Sequence, residues 1–177
     1  MLGLNVYKVI SFILLPIAAL LGISCFLGFF VAIANPAGLL PICMILCAVI
    51  YIFASFSFLQ KGIIKTKPCN HSLKDWIKVN AYVSVVLGFM LLLDFIQIAA
   101  QPHLLTQAIQ VFQTQAATMQ KTMPPDAAKM QAATLQKMPA ILKGMVYFMI
   151  VFAALLLTHI GFTFTYLKKY NHLFIEV

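Results

Sequence analysis

The sequence predicts an all-α membrane protein, an antiparallel four-helix transmembrane bundle with an extramembrane amphipathic helical hairpin between helices 3 and 4. Hydrophobic residues make up 63% of the 177 residues and charged residues only 9%. A water-soluble core of this size cannot bury that much apolar surface. The apolar residues also fall into four long runs, each reaching the about 20 residues that a helix needs to cross the hydrocarbon layer.

The four runs predict spans at residues 9–34, 37–60, 79–100 and 141–167 of a single integral membrane domain, 1–177. The strands of a transmembrane barrel would be short and would alternate apolar with polar residues, so these continuous runs favour helices. The first run exceeds the apolar core of about 7–15 residues of a cleaved signal peptide, and we expect it to stay as an anchor.

Short connections predict how the spans follow one another. The tetrapeptide "NPAG", Asn35–Gly38, consists of turn-forming residues and predicts an antiparallel hairpin of the first two spans. In the link 61–78, Ser72 with Asp75 three residues later predicts the start of a helix that continues into the third span. Small residues within the spans mark candidate close contacts between helices; they are Gly22, Gly28, Ala32, Gly88 and Gly161.

The lysines predict the orientation. All of the 12 basic residues are lysines. Most of them fall on one side of the membrane if both termini share that side: Lys8, Lys61, Lys65, Lys67, Lys74, Lys78, Lys168 and Lys169. The positive-inside rule then places both termini and the link 61–78 in the cytoplasm. The use of lysine without arginine, with abundant Ile, Phe and Asn, is typical of an AT-rich coding sequence, and we expect a bacterial inner membrane.

The outer segment 101–140 contains one phrase twice, "QAATMQK" at Gln115–Lys121 and "QAATLQK" at Gln131–Lys137. Apolar residues three or four positions apart predict one face of a helix that ends at Pro124-Pro125. A second helix, capped by Asp126, is expected to end before Pro139. The expected association surface of this hairpin consists of Leu105, Ile109, Phe112, Met119, Met123 and Met130. The alternative is that a tract rich in Gln and Ala drifted into similarity.

Asp94 is the principal candidate for an intramembrane polar site. It lies about six residues, or ~9 Å, from the outer end of the third span. An antiparallel fourth span would bring Tyr147 to this level and Lys143 one turn further out, within reach of the carboxylate. A structural ion pair or a protonated, hydrogen-bonded acid is one interpretation of Asp94, and a proton or cation site is the other.

His159 lies in the other half of the fourth span, too far from Asp94 in depth to pair with it. Tyr51, Ser55 and Ser84 are expected at its level, which predicts a hydrogen-bonded polar layer between helices. The remaining histidines lie outside the spans, so a haem held by two imidazoles is not expected. Cys25, Cys43 and Cys47 come to similar depths but lack an acid or histidine to complete a metal site, so we expect neither a metal nor another cofactor.

The function is less clearly indicated than the architecture. The sequence contains no phosphate-binding loop, zinc-protease motif or catalytic triad pattern. The net charge of +8 comes from dispersed lysines, so nucleic-acid binding is not expected. The leading hypothesis is a non-enzymatic accessory or scaffold subunit whose outer hairpin associates with a protein partner or a second copy. The alternative is a small oligomeric transporter or channel with Asp94 as its proton or cation site.

Overall fold

A computed structural model describes residues 2–34, 38–120 and 125–175, which are almost entirely helical. The side chains at positions 2, 31, 33–34, 102, 108, 112, 115–120, 125–134, 136 and 175 are not part of that description. The helices are α1 (Leu2–Ala34), α2 (Leu39–Phe58), α3 (His71–Ala100), α4 (Pro102–Gln120) and α5 (Pro125–Lys169). A π-helical segment (Leu59–Ile64) follows α2, and two short strands are β1 (Cys69–Asn70) and β2 (Phe174–Ile175).

Four helical segments are long and apolar enough to cross a membrane: Gly3–Phe30, Leu39–Ile64, His71–Ala100 and Lys137–Lys169. Many large apolar side chains are exposed on these segments, among them Leu20, Phe26 and Leu93. Their exposure would be unfavourable in water. Contiguous exposed apolar surface of this kind is characteristic of protein that faces lipid or a partner. The architecture is therefore compatible with an integral membrane protein.

The chain divides into two compact units, Met1–Met90 with Ala153–Val177, and Leu91–Phe152. We call them the first and the second unit. The first unit contains α1 and α2, the beginning of α3 and the end of α5. The second unit contains the end of α3, α4 and the beginning of α5.

Small residues allow close helix packing in the first unit. A Cβ atom added at Gly88 of α3 would lie 2.9 Å from Cδ2 of Leu157 on α5, so only glycine fits there without a shift. At Gly22 and Gly28 of α1 the nearest atoms, from α2, would lie at ordinary contact distances of 3.5 and 3.6 Å. Gly161, expected to be a close contact, has no such atom within 4 Å in the described part of the chain.

One end of the first unit is closed by the short strands. β1 pairs with β2 in parallel, with Cys69 opposite Phe174. The ring of Phe174 stacks on that of Phe58 at 5.3 Å. Gly62 of the π-helical segment lies against this pair, since an added Cβ would be 3.0 Å from the Phe58 ring and 3.3 Å from the Cys69 sulfur. Strands of two residues are too short to show a periodic pattern, so the sequence does not predict them.

The third helix begins at His71, ahead of the apolar run that starts at Val79. The side-chain oxygen of Asn70 accepts a hydrogen bond from the backbone N–H of Ser72 at 3.0 Å. Asn70 therefore satisfies a free N–H of the first turn, the role that the sequence analysis had given to Ser72. His71 and Asp75 form an exposed i,i+4 pair at 3.1 Å.

The second unit differs from expectation at Pro139. The second helix of the outer segment was expected to end before this residue, yet α5 runs without interruption from Pro125 to Lys169. Proline removes one main-chain hydrogen bond of a helix. The side chain of Pro139 is exposed. The Ala, Gln, Lys, Met and Leu residues on both sides are good helix formers, and they continue the helix across the defect.

Candidate functional site

Five polar side chains from three helices meet inside the first unit. Tyr7 and Ser11 come from α1, Tyr51 from α2, and His159 and Thr163 from α5. None of them is more than 1% exposed. We call these five side chains the buried polar cluster.

The spacing of these residues explains why they meet. Tyr7 and Ser11 are four residues apart, as are His159 and Thr163, so each pair lies on one face of its helix. Tyr7 stacks on the imidazole of His159 with ring centres 4.9 Å apart. Tyr51 contacts the same imidazole edge-on at 5.6 Å. The imidazole is thus held by an aromatic ring from each of the other two helices.

Both ring nitrogens of His159 have partners. Nε2 lies 2.9 Å from Oγ of Ser11, and Nδ1 lies 2.8 Å from the hydroxyl of Tyr51. The hydroxyl of Ser11 donates to the main-chain carbonyl of Tyr7 at 2.8 Å. With its one hydrogen used there, Ser11 accepts from Nε2–H, and Tyr51 donates to Nδ1. The imidazole is then neutral, with its one donor and its one acceptor both satisfied.

Thr163 completes the cluster. Its hydroxyl lies 2.8 Å from that of Tyr51. It also donates toward the main-chain carbonyl of His159 at 2.9 Å and toward the hydroxyl of Tyr7 at 3.2 Å. The hydroxyl of Thr163 has one hydrogen and donates to one of these acceptors at a time, while its oxygen lies within hydrogen-bond distance of both tyrosine hydroxyls. The result is a continuous hydrogen-bonded link from α1 through α5 to α2.

The buried polar cluster connects α1, α2 and α5 through hydrogen bonds and ring contacts. Each of its polar groups would be costly in an apolar interior if it were unpaired. A charged imidazole would have no counterion among the described contacts of His159, which are hydroxyls, rings and carbonyls. With surfaces at most 1% exposed, these groups have almost no free face on which to take a substrate.

The expected polar layer and the observed cluster overlap in part. The structure brings Tyr51 to His159, but Ser55 donates to the carbonyl of Ile52 at 3.0 Å, and Ser84 to that of Asn80 at 2.6 Å. Tyr7, Ser11 and Thr163 were not recognised from the sequence. Tyr7 precedes the start assigned to the first span, whereas α1 begins at Leu2. The i,i+4 polar pairs on α1 and α5 were the signal that could have identified them.

The expected arrangement around Asp94 is not formed. Asp94, Lys143 and Tyr147 are all exposed in the second unit. Across residues 2–34, 38–120 and 125–175 the structure records one ion pair, which is His71 with Asp75.

The beginning of the predicted association surface lies against its own unit. Leu105 and Ile109 are partly buried and line a cavity of about 310 Å³. Its other lining residues are Ile98, Ala99, Thr106, Pro139, Lys143, Val146 and Tyr147. Met123 lies outside the described residues, as do the side chains of Phe112, Met119 and Met130. The described start of the apolar stripe thus lines a cavity with the end of α3 and with residues 139–147 of α5.

The cysteines are free thiols in different surroundings. Cys25 and Cys69 are buried, Cys47 is partly buried and Cys43 is exposed. Among the described residues, no group of three His, Cys, Asp or Glu side chains is arranged to hold a metal ion. Burial raises the pKa of the Cys69 thiol above its ordinary value, and the positive charge of Lys61 opposes this shift.

Comparison with protein-family models, with curated proteins and with solved structures found no match to this chain.

Proposed function

We propose that this chain is a non-enzymatic multi-pass membrane protein that serves as an accessory or scaffold subunit. It crosses a bacterial inner membrane as an antiparallel four-helix bundle with both termini in the cytoplasm. Its outer segment, residues 101–140, folds as a helical hairpin and, with the neighbouring ends of α3 and α5, associates with a second copy or a protein partner.

The order of contacts in the first unit supports the antiparallel arrangement. Positions that contact each other run in opposite directions along each pair of helices. The contacts are Phe12 with Phe56 and Gly28 with Ile42 for α1 and α2, Tyr7 with Thr163 and Ser11 with His159 for α1 and α5, and Tyr82 with Phe164 and Gly88 with Leu157 for α3 and α5.

The cavity of the second unit supports the hairpin. Leu105 and Ile109 of α4 share this cavity with Val146 and Tyr147 of α5. This shared lining supports a hairpin in which α4 folds back along α5. The repeated phrase then falls in two arms of one structure, the first within α4 and the second near the start of α5.

The exposure of Asp94 is the observation that carries the association proposal. Its neighbours Leu93 and Ile96 are 65% and 47% exposed, so this carboxyl lies on an apolar outer face of α3. An aspartate inside a span costs about 2.5–3.5 kcal/mol on insertion scales, and such residues usually face protein or water. A second chain that covers this face would relieve the cost.

Lys143 gives the association a specific form. It is exposed in the same unit, and it is not paired with Asp94 of its own chain. In a symmetric dimer each chain presents the same patch, so Asp94 of one copy would meet Lys143 of the other, twice. Opposite charges that are desolvated at an interface favour one register over others.

Self-association of purified chains in liposomes, measured by energy transfer between labelled copies, tests the proposal. Asp94→Lys is expected to weaken transfer, and Asp94→Lys with Lys143→Asp is expected to restore it. Asp75→Lys makes the same charge change near the other end of α3 and is expected to leave transfer unchanged. Replacement of residues 101–140 by a short flexible linker, which still allows the fourth span to run antiparallel to the third, is expected to abolish association while the spans remain inserted. A chain that stays monomeric and co-purifies with no partner would overturn the proposal.

A further inference from the structure

A second polar feature of the first unit lies where the beginning of α3 meets the end of α5. A cavity of about 270 Å³ is lined there by Lys74, Lys78, Phe164, Leu167, Lys168 and Asn171. Three of the six lining residues are lysines and none is acidic. The apolar part of the cavity lining consists of Phe164 and the buried side chain of Leu167.

The lysines are placed by their helices. Lys74 and Lys78 are four residues apart on α3 and so lie on one face. Lys168 is in the last turn of α5. The ammonium of Lys74 donates to the side-chain oxygen of Asn171 at 2.6 Å and lies 5.9 Å from the centre of the Phe174 ring. One of the three cations is therefore fixed at the mouth of the cavity.

Within residues 2–34, 38–120 and 125–175, Lys74, Lys78 and Lys168 have no carboxylate partner. Like charges at i,i+4 on a helix, such as Lys74 and Lys78, destabilise it. The position of Lys168 at a helix C-terminus is favourable by itself. The helix dipole does not explain why Lys74 and Lys78, from another helix, line the same cavity as Lys168. A bound anion would explain the convergence of the three lysines.

We propose that this cavity binds the phosphate of an anionic phospholipid headgroup. The three lysines and the amide of Asn171 would surround the phosphate, and the apolar part of the lining would accept the glycerol and the start of an acyl chain. The surface continues from the cavity along α3 through exposed Tyr82, whose ring packs on Phe164 at 5.6 Å, to exposed Val86. This apolar surface beside the cavity favours a lipid over free phosphate as the ligand. Basic pockets between transmembrane helices bind anionic headgroups in this way.

The site is independent of the proposed association. It lies in the first unit, whereas Asp94 and the outer segment lie in the second. A failure of lipid binding would leave the association untouched, and the reverse also holds.

Lipid adducts counted by native mass spectrometry of the full chain in detergent test the proposal. The probes are dioleoylphosphatidylglycerol and dioleoylphosphatidylcholine at equal concentrations. We expect one tightly retained phosphatidylglycerol and no comparable retention of phosphatidylcholine. Each lysine near a headgroup contributes about a fivefold factor, so Lys74→Gln/Lys78→Gln/Lys168→Gln is expected to weaken phosphatidylglycerol binding on the order of a hundredfold.

Two further variants separate the cavity from general charge. Lys78→Gln/Lys168→Gln keeps the Lys74 bond to Asn171 and is expected to weaken binding by about 25-fold. Lys61→Gln/Lys65→Gln/Lys67→Gln removes the same charge as the triple cavity variant and is expected to bind as the unaltered chain does. Equal retention of both lipids, or equal losses in the cavity and control variants, would overturn the proposal. Displacement of the lipid by millimolar inorganic phosphate would overturn the lipid assignment and make the cavity a phosphate site.

Discussion

The hydroxyl of Tyr51 on α2 lies 2.8 Å from Nδ1 of His159 on α5, although 108 positions separate the two residues in the chain. His159 in turn reaches Ser11 on α1 through its other ring nitrogen. One imidazole therefore fixes the relative positions of three helices. In lipid, where helices are not driven together by the hydrophobic effect, such bonds and close packing carry the specificity of association.

Removal of the Tyr51 hydroxyl is expected to destabilise the protein. Tyr51→Phe keeps the ring but leaves Nδ1 of His159 without its donor. We expect the free energy of unfolding to fall by about 1–2 kcal/mol, because a buried acceptor left unpaired costs about 1–3 kcal/mol and measured bonds between membrane helices reach about 1.7 kcal/mol. Equilibrium unfolding by SDS in mixed micelles measures this change.

Two comparisons make the result specific to the buried polar cluster. Thr158→Val removes an exposed hydroxyl that bonds only within its own helix, to Ala154 at 2.8 Å, and is expected to change stability by less than about 0.5 kcal/mol. His159→Leu combined with Tyr51→Phe is expected to cost less than the sum of the two single changes, by about 0.5 kcal/mol or more. Strict additivity would show that the two side chains do not interact.

Packing between α3 and α5 makes a second prediction. Gly88→Ala places a methyl group 2.9 Å from Cδ2 and 3.1 Å from Cγ of Leu157, so the helices must separate or the leucine must leave its rotamer. Because these atoms belong to the end of the Leu157 side chain, which can rotate, we expect a loss of about 1 kcal/mol of unfolding free energy, the low end of the cost of overpacking. Gly161→Ala adds the same methyl where no neighbouring atom lies within 4 Å, and we expect it to be neutral or slightly stabilising.

The same unfolding assay distinguishes the outcomes. If steric conflict is the cause, shortening the neighbour in Gly88→Ala/Leu157→Ala relieves it, and the double variant is less destabilised than the sum of its parts. Equal effects of Gly88→Ala and Gly161→Ala would contradict the close approach of α3 and α5 at Gly88.

The sequence predicted the parts of this fold that rest on long patterns. Four apolar runs suffice to predict four helices of membrane-crossing length, because burial in lipid requires only composition and length. Features set by single neighbours were missed. Asn70, and not Ser72, caps α3, which depends on the side-chain geometry of one residue. The α5 helix continues through Pro139 because good helix formers lie on both sides of it.

Among the candidate site residues, too, some could be predicted from the sequence pattern and others depend on individual neighbours. His159 could be recognised because a lone polar residue in a span stands out, and Tyr51 because it falls at the same depth. Tyr7 was missed since the helix extends further toward the N-terminus than the apolar run does. An ion pair with Lys143 is one interpretation of Asp94 that rests on depth alone, and depth does not fix the face of the helix from which a side chain projects.

Cys69 offers a chemical test of the closed end of the first unit. Burial raises the pKa of its thiol, so less of the reactive thiolate is present at neutral pH than in the unfolded chain. In a chain whose other cysteines are replaced by alanine, we expect maleimide to label Cys69 at pH 7 at least tenfold more slowly in mild detergent than after unfolding in SDS. The rate should rise with pH in the folded protein as the thiolate forms at a higher pH than usual.

A substitution in β2 is expected to expose the Cys69 thiol. Phe174 lies opposite Cys69 in the strand pair and stacks on Phe58. Phe174→Ala is therefore expected to speed labelling of Cys69 several-fold, because both the stacking and the burial of the strand pair are weakened. His172→Ala alters an exposed residue of the same segment without that stacking contact and should leave the rate unchanged. Rapid labelling in the unaltered fold, or no difference between the two variants, would mean that β2 does not cover this thiol.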